Sequence, residues 1–375
     1  LGTVANVPRK TTTGKTRPTP PSPDRGFSRR LLSWYDRGHR DLPWRGQPTP
    51  YAVLVSELML QQTQVVTVIP YFKAFMQKFP TVEALATAPE ESVMHAWAGL
   101  GYYARARNLQ GAARVSMERH GGQLPCTLAE LRALPGVGDY TASAVGAIAF
   151  GIKTFALDGN AIRVIARVFE EREDVGRAGV RDRLRVLGGS RVPAARSGDF
   201  AQAVMELGAT VCTPIAPACS SCPIRKECAA FSGGFAESLP LKSKRIAKRL
   251  MYGVAVVARE GDKIWMFKKT SGRLLKGLWT VPLLETSLAP ATPAQVLVIA
   301  AKMLAENRIT MDDPEVFDGT VRHIFTHIDA RVVVVGGQVR PVRGGARNPA
   351  DWSLCDPGER PLSTFVKKLI LHGRH

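Results

Sequence analysis

The sequence predicts a multidomain protein: a mostly α-helical region followed by a smaller α+β domain. Three observations carry this. From Phe27 to Phe231 apolar residues recur at three- and four-residue spacing with no sustained alternation, the period of amphipathic helices. After residue 250 come short β-branched runs bounded by Gly or Asp, "MYGVAVVARE" (251–260), "KIWMFKK" (263–269) and "RVVVVGG" (331–337), which read as strands. Between them "AESLPLKSKRIAKRL" (236–250) is rich in Lys and Arg and has the composition of an exposed linker. A chain of 375 residues exceeds what a single core usually supports.

Residues 1–27 hold several Pro and Thr with scattered Lys and Arg and almost nothing to bury, so a disordered basic tail is expected. Trp34 and Tyr35 belong to a first helix. "DLPWRGQPTPY" (41–51) is a Pro-broken loop leading into a helix over about 52–63. In "ALPGVGDYTASAVGAIAF" (133–150) a tight Pro/Gly loop precedes an Ala-rich helix, and another helix should follow "ALDGN" over about 161–169. The Arg-rich, Gly-punctuated segment 171–198 yields no site. Helices are expected over about 293–306 and 362–371, and there is no repeat of solenoid length.

Charge narrows the function. Lys plus Arg number 51 against 32 Asp plus Glu, a net charge of +19, which favours a polyanion: nucleic acid first, with the ribosome or an anionic membrane as alternatives. No stretch approaches the roughly 20 apolar residues that span a bilayer, and no signal-peptide core is present, so a cytosolic compartment is expected. Six cysteines are too few for a disulfide scaffold, and four crowd into one short segment.

Those four, Cys212, Cys219, Cys222 and Cys228, are spaced C-x6-C-x2-C-x5-C; four soft thiolates can wrap either one zinc ion or one iron–sulfur cluster, with buried unligated thiols as the plain alternative. In "LPGVG" (134–138), Gly136 and Gly138 permit a tight turn whose free amides, at the start of the next helix, can meet a phosphate; a plain interhelical turn is the alternative. Glu57 sits in the otherwise apolar and amide-rich "VLVSELMLQQTQV" (53–65), where a carboxylate is costly unless paired, neutralised or used. Asp158 precedes Gly159 and the 161–169 helix, the position of an N-cap.

"SELMLQQTQV", "GLGYYARARNL", "LPGVGDYTA", "LDGN" and the cysteine quartet occur in the order found in the MutY family of the helix-hairpin-helix glycosylases, which the chain closely resembles. The resemblance covers about 28–234 for the glycosylase region, including an iron–sulfur loop at 212–228. A basic linker at 235–250 follows, and 251–375 resembles the family's MutT-like, or Nudix-fold, recognition domain through "GLWTVP" (277–282) and "HIFTHIDARVVV" (323–334). It implies two α lobes forming a cleft, a [4Fe-4S] cluster on the four cysteines, and a monomer acting on double-stranded DNA with adenine opposite 8-oxoguanine or G. The Nudix acidic box is missing after Pro282, so phosphoanhydride hydrolysis is disfavoured.

The same resemblance implies the site. Glu57 matches the acid that protonates adenine N7, and Asp158 the carboxylate that stabilises the sugar cation. A low-dielectric pocket favours the protonated state the first needs, while helix amides and solvent favour the ionised state of the second. Tyr140 stands where bifunctional relatives carry a nucleophilic Lys, so a monofunctional glycosylase is expected in which Tyr140 supports Asp158. Asn160 resembles the amide near the reacting sugar. Arg40, Leu42, Trp44 and Glu206 resemble the residues lining the adenine pocket. Gln62 and Tyr102 resemble those that enter the duplex beside 8-oxoguanine. Phe325, Thr326 and His327 align with the loop that reads the damaged base.

Overall fold

The structure is a computed structural model that describes residues 25–46, 48–243, 247–272, 274–306, 309–339 and 352–373. Most of the expected tail and part of the expected linker lie outside the described residues. Among the described residues, twelve α-helices are followed by a mixed domain: α1 (Arg25–Gly38), α2 (Pro50–Leu60), α3 (Val65–Lys78), α4 (Val82–Thr87), α5 (Glu90–Ala96), α6 (Ala104–His120), α7 (Leu128–Ala133), α8 (Asp139–Phe150), α9 (Gly159–Val168), α10 (Ala178–Gly189), α11 (Ser197–Thr210) and α12 (Ala229–Ser232). The mixed part runs β1 (Arg249–Glu260), β2 (Lys263–Lys268), β3 (Trp279–Thr280), β4 (Leu283–Thr286), α13 (Pro293–Glu306), β5 (Met311–Val316), β6 (Val321–Ile324), β7 (Ile328–Val339), β8 (Trp352–Cys355) and α14 (Thr364–His372). Among the described residues no helix is long and apolar enough to cross a membrane.

Local chemistry sets the helix ends. The Thr49 hydroxyl accepts from the Ala52 amide at 3.2 Å, and Pro50 opens α2 where its missing N–H costs nothing. The helix stops at Leu60, short of the expected residue 63, because Gln61 turns to an extended ψ of 113° and Gln62 takes a left-handed φ of 57°. Helix α6 ends on left-handed Gly121, with the Gly122 amide bonded to Ser116 O at 3.0 Å. Helix α10 lies in the segment from which the sequence yielded nothing; its buried face is only Val180, Leu184 and Gly188.

The chain divides into two compact units. One comprises Leu1–Arg40 with Gly151–Lys242, and the other Asp41–Phe150 with Ser243–His375. In the first, Phe27, Leu31, Phe155, Ile165, Phe200 and Leu207 are among the core residues joining α1, α9 and α11. In the second, the sheet runs β3-β2-β1-β7-β5, with β4 paired to β1, β6 to β7 and β8 to β2. Strands β1 and β7 are parallel from Arg249↔Ile328 to Arg259↔Gln338. Alternation along β1 sends Val254, Val256 and Ala258 against Val296, Ala300 and Leu304 of α13. Ala255 and Val257 belong to the core that includes Phe365, Val366 and Leu369 of α14.

Close packing of α9 on α11 depends on Gly208, where an added Cβ would lie 2.5 Å from Asn160 Cβ and 3.1 Å from its Cα. Gly208→Ala is therefore expected to destabilise the protein by about 1–3 kcal/mol, the range for overpacking. Chemical denaturation measures this, and an unchanged midpoint would contradict the contact.

Candidate active site

Helix α2 carries Glu57 in its interior. Every residue from Tyr51 to Met59 is buried, and Glu57 is only 5% exposed. The Tyr140 phenol, at the second residue of α8, donates to Glu57 Oε2 at 2.5 Å. It thereby fixes the orientation of the carboxyl group. Gln61 Nε2 donates to Thr141 Oγ1 at 3.3 Å and links the same two helices. The α7–α8 hairpin in front of Tyr140 turns at Gly136 (φ 75°), whose bare Cα is needed because a Cβ would stand 2.5 Å from Asn108 Cβ on α6. Gly138 O accepts from the Ala142 amide at 2.9 Å as α8 begins.

Asp158 caps α9. Its Oδ1 accepts from the Ala161 amide at 2.6 Å, and Asn160 Nδ2 donates to its Oδ2 at 3.0 Å. Arg163, which the sequence did not single out, holds Asn160 Oδ1 at 2.8 Å, Gly208 O at 2.7 Å and Cys212 O at 2.7 Å. Helical spacing from Asn160 to Arg163 was the available signal. Burial raises the Asp158 pKa above the ordinary carboxylate value; the bonds from Ala161 and Asn160 and the Arg163 charge pull downward without cancelling it. Helix amides alone therefore do not set this carboxylate as the sequence led us to expect.

Arg40 and Glu206 meet as a forked pair: Nε to Oε1 at 2.7 Å and Nη2 to Oε2 at 2.8 Å, with Glu206 2% exposed. The bond to Glu206 raises the guanidinium pKa. Leu42 and Trp44 are buried in the core of the other unit, where Trp44 meets Phe72 edge to face at 5.4 Å.

Gln62 and Tyr102 are exposed and both take left-handed backbone, with φ 57° and 49°. Phe325 opens the turn between β6 and β7, half-buried between His323 and Phe365 at 4.5 and 5.2 Å. Thr326 and His327 are exposed at the tip. Thr326 Oγ1 donates to the Tyr102 phenol oxygen at 2.8 Å, joining positions 224 residues apart.

The [4Fe-4S] cluster expected on Cys212, Cys219, Cys222 and Cys228 is overturned: among the described residues no group of three or more His, Cys, Asp or Glu is arranged to hold a metal ion. All four are free, half-buried thiols. Burial raises the pKa of Cys219 and Cys228 and pushes that of Cys222 up to about 12. Arg167 organises the segment instead, donating to Cys212 Sγ at 3.3 Å, Thr213 O at 2.8 Å and Pro214 O at 3.2 Å.

A helical hairpin beside a buried carboxylate, on a strongly basic chain, defines a class that comparison names: the family model described as "HhH-GPD superfamily base excision DNA repair protein" matches residues 55–188. The adenine DNA glycosylase of Rattus norvegicus is 38% identical over 389 residues, covering 90% of this chain and 74% of that protein. That of Homo sapiens is 51% identical over 213 residues, 54% of this chain and 39% of that protein. Among solved structures, a thermostable thymine-DNA glycosylase has a TM-score of 0.50 at 30% identity, covering 55% of this chain and 95% of its own. The chain belongs to the adenine DNA glycosylase family. Its reaction is hydrolysis of an N-glycosyl bond, releasing adenine from DNA in base excision repair.

Because the folded-state pKa of Asp158 is raised, the stability it contributes is fully present below the ordinary Asp value and is lost as pH rises through the raised value. Asp158→Asn keeps a side-chain acceptor at the cap but does not ionise. The stability difference is expected to move in the variant's favour as pH rises through that window. Thermal melts from pH 3.5 to 7 test this, and a pH-independent difference would count against it.

Proposed function

We propose that the chain removes adenine paired with 8-oxoguanine or G, acting as a monofunctional glycosylase through two carboxylates with opposite duties. Glu57 delivers a proton to adenine N7 as the C1′–N9 bond breaks and its electron pair leaves with the base. Asp158 stabilises the positive charge that develops on the sugar, with Asn160 beside it. Water then adds to C1′, and the proton it sheds restores the acid. Tyr140 offers a phenol and no amine, so this reading includes no Schiff base with the abasic sugar. Arg40 and Glu206 serve the edge of the extruded base. The 133–142 hairpin, with Gly136 and Gly138, serves the phosphate backbone.

The Thr326–Tyr102 hydrogen bond carries the 8-oxoguanine part of the proposal. Tyr102 is the residue assigned to the gap beside the damaged base, and Thr326 belongs to the Phe325–Thr326–His327 loop assigned to reading that base within a Nudix-like domain. A direct bond between them favours one lesion touched by both. It also supplies a physical link between opening the duplex and identifying what lies across from adenine.

Glu57→Gln is expected to slow single-turnover adenine release by about 10²–10⁴-fold, the usual worth of a general acid, while leaving lesion-duplex affinity within a few-fold of wild type. Near-normal excision would remove Glu57 from the chemistry. Thr326→Val should lower the preference for A opposite 8-oxoguanine over A opposite G by roughly two- to tenfold, the scale of one net hydrogen bond, as read from paired single-turnover rates. An unchanged ratio would dissociate this loop from lesion reading.

A further inference from the structure

Gln62 and Tyr102, the residues that the proposed function sends into the duplex, lie in separate turns but share an uncommon backbone state, φ 57° and 49°. Left-handed backbone is unfavourable for residues with a Cβ, and two such residues side by side in function need neighbours that hold them. Both turns converge on one side chain. Arg105, in the first turn of α6, is buried at 7% exposure. Its Nη1 donates to the carbonyls of Leu58 at 2.8 Å, Met59 at 2.8 Å and Gln61 at 2.6 Å. Its Nη2 donates to Thr63 Oγ1 at 3.3 Å, Leu100 O at 3.2 Å and Gly101 O at 3.1 Å.

The acceptors are not scattered. Leu58 and Met59 carry carbonyls at the end of α2 that the helix leaves without a partner. Gln61 immediately precedes Gln62, Thr63 immediately follows it, and Leu100 and Gly101 lead directly into Tyr102. The guanidinium carbon also lies 5.4 Å from the Tyr102 ring centroid and 5.4 Å from that of Trp97. Trp97 Nε1 donates in turn to Gly101 O at 3.2 Å. Tyr102 is thus held at its ring face by Arg105 and at its hydroxyl by Thr326.

We propose that Arg105 is a positioning residue that sets Gln62 and Tyr102 as a matched pair for entry into the duplex. The inference rests on the wedge role proposed for those two residues. A planar fork is suited to the task because it reaches acceptors on both turns at once; a Lys ammonium is a point donor on a single axis and cannot span them.

Two measurements test it on the full-length protein. One is the fluorescence of 2-aminopurine replacing the target adenine opposite 8-oxoguanine, which reports base extrusion. The other is affinity for a duplex carrying non-hydrolysable 2′-fluoro-2′-deoxyadenosine opposite 8-oxoguanine, set against affinity for undamaged duplex. Arg105→Met is expected to lose the extrusion signal and about tenfold or more in lesion affinity, with affinity for undamaged duplex nearly unchanged. In a Gln62→Ala/Tyr102→Ala background the same substitution should add less than about twofold, because the groups it positions are gone. A merely structural role would cost the same in both backgrounds, and that result overturns the assignment. If Arg105→Met does not fold, Arg105→Lys is read instead, with a partial loss and the same background dependence expected. Normal extrusion by Arg105→Met alongside impaired extrusion by Gln62→Ala/Tyr102→Ala overturns the Arg105 assignment alone. Wild-type extrusion by Gln62→Ala/Tyr102→Ala overturns the wedge reading beneath it.

Discussion

The hydrogen bond from Tyr140 to Glu57 joins α2, which carries the buried acid, to α8, which follows the hairpin turn. A carboxyl group inside a helix whose neighbours are all buried is expensive to desolvate, by several kcal/mol when left uncompensated. A phenol aimed at one oxygen compensates part of that cost and fixes the group's direction. Because Tyr140 is near the start of α8, its position follows from the hairpin, which follows from the bare Cα of Gly136 against Asn108. At its other end α2 releases the chain into the turn that presents Gln62. Acid, hairpin and the Gln62 turn are consequences of how one apolar helix is seated.

The second carboxylate is handled by different means. Asp158 stands at a helix N-terminus, where amides and the helix dipole favour negative charge. Burial nevertheless outweighs them and raises its pKa in the free protein. In the proposed chemistry, a cationic sugar would shift that balance toward the ionised state. Arg163 and Asn160 keep the group in place through a chain of bonds that reaches Gly208 and Cys212 in the same unit. This differs from the treatment of Glu57, which sits in the interior of a buried helix and is oriented by the neutral Tyr140 phenol.

Much of this was legible in the sequence because it depends on local rules. The expected helix over 293–306 is found at Pro293–Glu306, and Asp158 does cap the helix after it. The strand at 331–337 is longer, Ile328–Val339, because polar His327 and Asp329 flank its start and hide it from a β-branched pattern. What was hidden is long-range or cooperative. Nothing in "GLGYYARARNL" distinguishes buried Arg105 from half-buried Arg107, since most of its acceptors are backbone carbonyls up to 47 residues away. The Thr326–Tyr102 bond spans most of the chain and leaves no spacing to read. Trp44 and Leu42 are buried, where hydrophobicity alone would send their side chains. The cysteine quartet misled because spacing permits metal binding without requiring it; Arg167 and burial account for the arrangement found.

The proposed chemistry depends on a proton reaching the imidazole edge of adenine from Glu57. The measurement that meets this most directly compares duplexes carrying 2′-deoxyadenosine and 7-deaza-2′-deoxyadenosine opposite 8-oxoguanine, with binding and single-turnover base release followed for each. Replacing N7 by C–H removes the proton acceptor while preserving shape and pairing. The expected result is comparable binding of both duplexes and release of base from the first alone. Release from the 7-deaza duplex at a rate close to that of adenine would contradict the mechanism.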